Sequence, residues 1–207
     1  MDHVESKYKS IRGHTSSSIF SNGILAAVYP QATKNNTDAT DSLHRFCNEI
    51  EVPANLKVDM ATTFTGRHTD FQQAINKYGI KLTFAEPYRH NQLQQVNVAI
   101  QDLKRRWRHV MTTNNIPRRL WCFGFEHQAR LMQFTPRGHN ECTGFEMITV
   151  VAPDISEYCD FNIYDLVWYW RAPHPLMAEH DRELARWMGV AHRYGSDMCY
   201  WLMPVSG

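Results

Sequence analysis

Asp59 is the acidic residue whose position points most directly to chemistry. It follows Leu56 and Val58 in a short apolar run, where an ionised carboxylate is costly unless a metal ion or hydrogen-bond donors replace its lost hydration. Asp59 is therefore a candidate metal ligand, and the alternative is an acid at the solvent-facing end of a strand. Asp38 and Asp41 differ, because they fall in the first turn of a predicted helix, where the helix dipole favours acids for structural reasons.

A basic segment follows later in the chain. Six basic residues with no acid between them surround Trp107: Lys104, Arg105, Arg106, Arg108, Arg118 and Arg119. Such a stripe can hold the phosphates of DNA or RNA, and a solvated basic helix face is the alternative. Because the formal net charge is only +1, nucleic-acid binding would depend on charge segregated along the chain.

Composition and length limit the class of protein. The 207 residues, 43% hydrophobic and 21% charged, suffice to bury the core of one main domain. The five cysteines form no Cys-x-x-Cys pair that could begin a zinc site. No apolar run reaches the roughly 18 residues needed to cross a bilayer, and Asp2 and His3 follow Met1 where a signal peptide would continue differently. We therefore expect an intracellular protein, nuclear or cytoplasmic, that is not secreted.

Alternating elements precede and follow Asp59. Asn22-Gly23 marks a tight turn between two strands, Thr37 and Asp38 occupy the cap of a helix, and Thr69 with Gln72 forms a capping box. The predicted elements are two strands within 17–29, a helix over 39–50, a strand over 56–60, a helix over 69–79, a strand over 80–85, a helix from Val96 to Met111 and a further helix to Phe134. This alternation predicts an α/β domain.

The remainder of the chain has a different composition. From Pro153 onward it is rich in tyrosine and tryptophan, with Gly and Pro between short apolar runs, a pattern typical of a small β module. We therefore predict a core over residues 1–135, a linker over 136–152 and a small β-rich C-terminal module over 153–207. The aromatic residues are expected in the core of that module, and a base-stacking surface is the alternative.

Several segments resemble the integrase core of copia-type retrotransposons and the region that follows it. They are 57–60, 84–92, 100–105, 153–158, 185–189 and 197–201. The resemblance implies a ribonuclease H-like fold, with a mixed sheet of about five strands flanked by helices. It also implies DNA as the partner, RNA being the alternative, and a homo-oligomer.

Integrases of this family use three carboxylates to hold two divalent cations, Mg²⁺ or Mn²⁺, which activate water or a DNA 3′-hydroxyl for attack on phosphate. Carried over by the resemblance, Asp2 matches the first acid and Asp59 the second, and these two would be the metal ligands. The third position, a helix glutamate in the family, aligns with Asn97. Asp102 lies five positions further along the same helix and points about 140 degrees away, so it is a poor substitute.

An amide oxygen is a neutral and weaker ligand than a carboxylate, so the second cation should lose most of its affinity. The resemblance with this departure predicts an integrase-like, nucleic-acid-associated protein with weak or no strand-transfer activity. One alternative is an active strand-transfer enzyme that uses Glu86 as the third ligand. The others are a noncatalytic DNA- or RNA-binding module and a remnant without activity.

Overall fold

The computed structural model describes residues 1–61, 63–65, 69–86, 90–136, 141–170, 182–192, 194 and 198–205. Part of the resemblance rests on residues 87–89 and on residue 197, which lie outside these ranges. The strands are β1 Asp2–Glu5, β2 Ser16–Ser21, β3 Ala26–Gln31, β4 Asn55–Val58, β5 Lys81–Phe84, β6 Leu166–Trp170, β7 Arg182–Val190 and β8 Tyr200–Pro204. The helices are α1 Asn36–Glu49, α2 Asp70–Tyr78, α3 Gln94–Thr113, α4 Trp121–Gln133 and α5 Gly144–Thr149.

The strands form three separate sheets. β1, β2 and β3 make an antiparallel sheet in that order, β4 and β5 pair in parallel, and β6, β7 and β8 make a second antiparallel sheet. The prediction of a mixed α/β architecture is confirmed, but the prediction of one sheet of about five strands is wrong. A backbone hydrogen bond of 2.8 Å from the amino nitrogen of Met1 to the carbonyl oxygen of Lys57 joins the first two sheets.

The hairpin prediction is confirmed, with a wider turn than expected. The Asn22 side chain accepts the backbone N–H groups of Ile24 at 3.1 Å and Leu25 at 2.8 Å, and Gly23 takes a φ of 90°, a left-handed conformation that glycine adopts without strain. These bonds hold residues 22–25 in a compact loop. The second strand therefore begins at Ala26.

The first two helices begin with side-chain caps. α1 is capped by Asn35, whose side chain accepts the N–H of Asp38, so the predicted cap at Thr37 and Asp38 is wrong by two residues. Thr69 caps α2 as predicted by accepting the N–H of Gln72, and Gly79 ends that helix in the left-handed region. Local sequence therefore fixes the N-terminus of α1 and both ends of α2.

Two hydrophobic clusters lie on opposite faces of the first sheet. One contains Phe20, Tyr29, Leu43 and Phe71 under α1 and α2. The other is larger and joins the first sheet, α3, α4 and the C-terminal sheet, so Val4, Leu103, Met132 and Trp187 belong to the same cluster. The predicted apolar face of α3 is confirmed, since Val96, Ala99, Ile100, Leu103 and Trp107 are buried.

The C-terminal module has the predicted β-rich character, and its sheet packs directly on the core. α4 contacts β7, and the ring of Trp187 is fully buried at 5.4 Å from that of His127 on α4. Aromatic burial therefore connects the module to the α/β part of the chain. α5 occupies part of the stretch predicted as a linker, and residues 137–140 of that stretch lie outside the described ranges.

None of the helices in the described ranges combines the length and the apolar character that crossing a bilayer requires. All five cysteines are free thiols.

Replacing Gly124 on α4 with alanine should destabilise the protein, because a Cβ atom there would lie 2.2 Å from Cζ3 of Trp107. Overpacking of this kind costs about 1–3 kcal/mol. We expect chemical denaturation to show that loss for Gly124→Ala. Trp107→Leu combined with Gly124→Ala should lose less than the sum of the two single variants, since the smaller side chain removes the clash. Additive losses would contradict the close contact.

Candidate functional site

Asp2 and Asp59 lie where β1 begins and β4 ends. The bond from Met1 to Lys57 brings these two points together. Asp59 follows the last residue of β4, Val58, so the prediction that the strand carries Asp59 is wrong by one residue. Both side chains are half-buried. Asp2 accepts a hydrogen bond of 2.7 Å from the backbone N–H of His3, and Asp59 accepts one of 3.3 Å from that of Ala61.

The two carboxylates interact electrostatically. Burial raises the pKa of the Asp2 carboxyl, the hydrogen bond from His3 opposes this effect, and the negative charge of Asp59 raises the pKa further. Burial also lowers the pKa of the Met1 amino group from 8.0 to about 6, against the attraction of both acids. Two neighbouring carboxylates in a partly dry setting repel each other, and a bound cation would relieve that repulsion.

His3 anchors β1, and the sequence analysis did not identify it. Its ring stacks on Phe64 with centroids 5.0 Å apart, and Nδ1 lies 3.2 Å from both Ser18 Oγ and Gln31 Nε2. Gln31 in turn accepts hydrogen bonds from Ser18 and Ser42. This buried polar network links three strands to α1 and fixes the strand on which Asp2 lies. The signal in the sequence was weak, because the polar residues are far apart along the chain.

Burial and the charge of Lys34 lower the pKa of His3 to about 4, although Asp59 opposes this shift. The imidazole is therefore neutral at neutral pH. Its Nε2 atom is buried without a hydrogen-bond partner among the described residues. His3 thus adds no positive charge to offset the two acids.

Asn97 lies in the first turn of α3 and is half-buried. Its neighbours Val96 and Ile100 pack in the larger core cluster with Val4 of β1, which places this turn of α3 near the strand that carries Asp2. The Asn97 amide makes no side-chain hydrogen bond within the described ranges. Its assignment as the third position remains a prediction.

Asp2 and Asp59 supply two carboxylates at this edge. Within the described residues, no group of three His, Cys, Asp or Glu side chains is arranged to hold a metal ion. Hard cations need several oxygen ligands, and carboxylates supply both oxygen and charge. That Asp2 and Asp59 bind Mg²⁺ or Mn²⁺ stays a prediction.

Glu86 is exposed and follows β5. Because β4 and β5 run parallel, Glu86 and Asp59 lie past the same ends of neighbouring strands. The backbone N–H of Glu86 donates to the Gln92 side chain at 2.9 Å. The role of Glu86 as a substitute third ligand stays a prediction.

The six residues of the basic segment differ in their contacts. Arg105 and Arg106 form ion pairs with Asp102 at 2.6 and 3.1 Å, so the nearest acid on α3 neutralises part of the predicted stripe. Arg118 bonds the hydroxyl of Tyr8 and lies over its ring. The other members have no ion-pair partner in the described part of the chain, and they are Lys104, Arg108 and Arg119. Arg108 and Arg119 are exposed and Lys104 is half-buried, so the two arginines are the most available to phosphates.

A second set of charges lies half-buried between α1, α4 and β3, and no pattern in the sequence indicated it. Arg12 bonds Glu126 at 2.7 Å, and Arg130 lies 3.3 Å from Glu49, which also accepts from the hydroxyl of Tyr29. Burial raises the pKa of Glu126, and Arg12 opposes that shift. Each acid has a basic partner, so we assign this cluster to structure.

Asp2→Asn should stabilise the metal-free protein, and the effect should depend on pH. Because the pKa of Asp2 is raised on folding, stability present at low pH is lost as the pH rises through the folded-state pKa. Asparagine does not ionise, so thermal denaturation at pH 7 should favour the variant by less than about 1 kcal/mol after solvent screening, and the gain should vanish near pH 3.

The native chain and Asp2→Asn can also be compared with Mn²⁺ present. If Asp2 is a ligand, Mn²⁺ should raise the melting temperature of the native chain and leave that of Asp2→Asn unchanged. Asp38→Asn, in the first turn of α1, serves as the control acid. Equal stabilisation of Asp2→Asn and the native chain by Mn²⁺ would exclude Asp2 as a ligand.

Comparison with known proteins gives matches of structure only. No family model matches the chain, and no curated protein matches its sequence. One similar structure is a chain of the simian T-cell lymphotropic virus intasome in complex with PP2A regulatory subunit B56 gamma, with a TM-score of 0.61, 14% identity, and coverage of 98% of this chain and 74% of that one. Another is the catalytic core domain of BIV integrase, with a TM-score of 0.52, 16% identity, and coverage of 64% and 83%. The chain has an integrase-like fold.

Proposed function

We propose that this chain is an integrase-like, nucleic-acid-associated protein, related to copia-type retrotransposon integrases, with weak or no strand-transfer activity. The observation that carries this proposal is the placement of Asp2 and Asp59 at adjoining strand ends in an integrase-like fold. DNA is the proposed partner, and assembly into a homo-oligomer is proposed by analogy with the intasome.

Asp2 and Asp59 would hold one divalent cation, Mg²⁺ or Mn²⁺, that polarises a phosphate oxygen or a bound water. The remaining steps depend on residues of this chain. The neutral His3 network holds β1, the strand that carries Asp2, in place. Asn97 would offer an amide oxygen that brings no charge, and weak activity would follow from the missing charge.

Restoring a carboxylate at position 97 should increase metal-dependent activity. We expect Asn97→Glu to cleave and join short labelled DNA duplexes with Mn²⁺, while the native chain shows little activity. Asn97→Gln has the same length as glutamate but no charge, and it should remain as inactive as the native chain. A folded but silent Asn97→Glu variant would contradict the assignment of Asn97 to the third position.

Asp59→Asn tests the alternative of a working enzyme. Activity in the native chain that disappears in Asp59→Asn would establish an active strand-transfer enzyme. The additional loss of that activity in Glu86→Gln would then identify Glu86 as the third ligand.

The unpaired cations of α3 should bind DNA phosphates. Lys104→Ala with Arg108→Ala should weaken DNA binding and reduce the slope of log Kd against log salt by about two, since each phosphate contact contributes close to one unit. The control is Lys77→Ala with Lys81→Ala, which removes the same charge from exposed positions on α2 and β5. Equal losses in both pairs would show a response to net charge instead of a binding surface.

A further inference from the structure

The outer face of the C-terminal sheet carries apolar side chains where an antiparallel sheet usually carries polar ones. Side chains alternate along β6, so Val167 and Tyr169 pack toward the larger core cluster. The residues between them point away from it: Leu166, Trp168 and Trp170 are 50%, 68% and 58% exposed. The solvated face of an antiparallel sheet is normally polar, and a contiguous apolar stripe there is typical of a binding surface.

Two arginines of β7 lie beside this stripe. Arg182 is opposite Trp170 in the ladder, and its guanidinium lies over the indole ring, 4.6 Å from the centroid. Arg186 is opposite Leu166 and lies over the ring of Tyr164 at 4.5 Å. Residues opposite each other in a ladder project from the same face. Neither arginine has an ion-pair partner within the described ranges.

The charge on this face is only positive. In the described strands β6, β7 and β8 the one acid is Glu183, which accepts a hydrogen bond of 2.8 Å from the hydroxyl of Tyr169 on the opposite face. Positive charge is complementary to phosphates. It disfavours a second copy of the same face, because the arginines of the two copies would then meet.

The spacing of the two tryptophans favours a single strand over a duplex. Residues two positions apart lie about 6.6 Å apart along a β-strand, whereas bases along one strand of a duplex are about 3.4 Å apart. Consecutive bases therefore reach both indole rings only when the nucleic-acid strand is stretched and unstacked. In a duplex, neighbouring bases cover each other's faces, so only the phosphates could make contact.

The tryptophan rings have free surface for bases. Trp168 makes no contact with another ring or a guanidinium in the described part of the chain. Trp170 has Arg182 on one face of its ring, which leaves the other face for a base. Stacking on aromatic side chains together with positive charge along the backbone is how proteins hold single strands without reading their sequence.

We propose that the outer face of the C-terminal sheet binds a single-stranded segment of DNA or RNA. Consecutive bases stack on Trp168 and Trp170, and the two arginines hold the backbone phosphates. This site goes beyond the proposed function, because it lies on a different sheet from Asp2 and requires neither a metal ion nor strand transfer.

The first probe is an oligothymidylate of about eight nucleotides, titrated into the isotopically labelled native chain. We expect saturable NMR shifts of the indole N–H signals of Trp168 and Trp170, while that of the fully buried Trp187 stays in place. A fully paired duplex should leave all three signals unchanged. Absence of saturable shifts, or equal shifts with the duplex, would overturn the proposal.

An oligouridylate of the same length distinguishes RNA from DNA. Saturable binding of either oligomer at the two indole signals supports the site, and the tighter of the two identifies the kind of strand that it takes. Failure of both oligomers would overturn it.

Substitutions at position 168 separate base stacking from apolar contact. Trp168→Leu keeps an apolar side chain without an aromatic face, so oligothymidylate should bind about tenfold more weakly, whereas Trp168→Phe should stay within about threefold of the native affinity. Phe84→Leu, at another exposed aromatic position on β5, is the matched control and should bind like the native chain. Equal binding by Trp168→Leu and the native chain would overturn the assignment.

Arg182→Ala tests the phosphate contact. It should weaken binding and reduce the slope of log Kd against log salt by about 0.7, the contribution of one phosphate of a single strand. An unchanged slope would exclude that contact. Sedimentation tests the competing occupant: a dimer that Trp168→Leu dissociates, with no binding of either oligomer, would show a protein interface and overturn the proposal. These readouts use no metal and no duplex cleavage, so their failure is distinct from a failure at Asp59 or Asn97.

Discussion

The close contact between Trp107 and Gly124 sets the spacing of α3 and α4, and the larger core depends on it. The space that a side chain at position 124 would need is taken by the indole ring, with 2.2 Å between Cζ3 and an added Cβ. Helices packed so closely present one apolar surface, which covers the first sheet and also receives Trp187 of β7. Burial of large aromatic rings in one cluster is the main term that joins the C-terminal module to the rest.

The edge that carries Asp2 and Asp59 reduces the stability of the fold instead of adding to it. Two acids in a half-buried setting cost stability, as the raised pKa of Asp2 indicates. The cost is tolerated because β1 is held by His3, which contacts Ser18, Gln31 and Phe64. Repulsion between two half-buried acids, held in place by a well-anchored strand, is the arrangement expected of a ligand-binding edge.

The half-buried pairs around Glu126 show how the same fold accommodates charges by pairing them. Arg12 comes from the loop after β1, bonds Glu126 of α4, and lies over the rings of Phe123 and Trp201 at 4.9 and 5.7 Å. This one guanidinium therefore links the first sheet, α4 and the C-terminal sheet. Pairs that are partly removed from water gain more in orientation than in free energy, because desolvation offsets much of their attraction.

The sequence by itself determined the local elements and the chemical types available. Periodicity located the buried face of α3. The residue types at Thr69 and Gly79 predicted both ends of α2. The apolar run beside Asp59 singled out that acid. Only the tertiary structure decided the separation into three sheets, the network around His3 and the cluster around Glu126. The physical reason is distance along the chain: propensities, caps and periodicity act within a few residues, whereas these contacts depend on burial and charge brought together from separate elements.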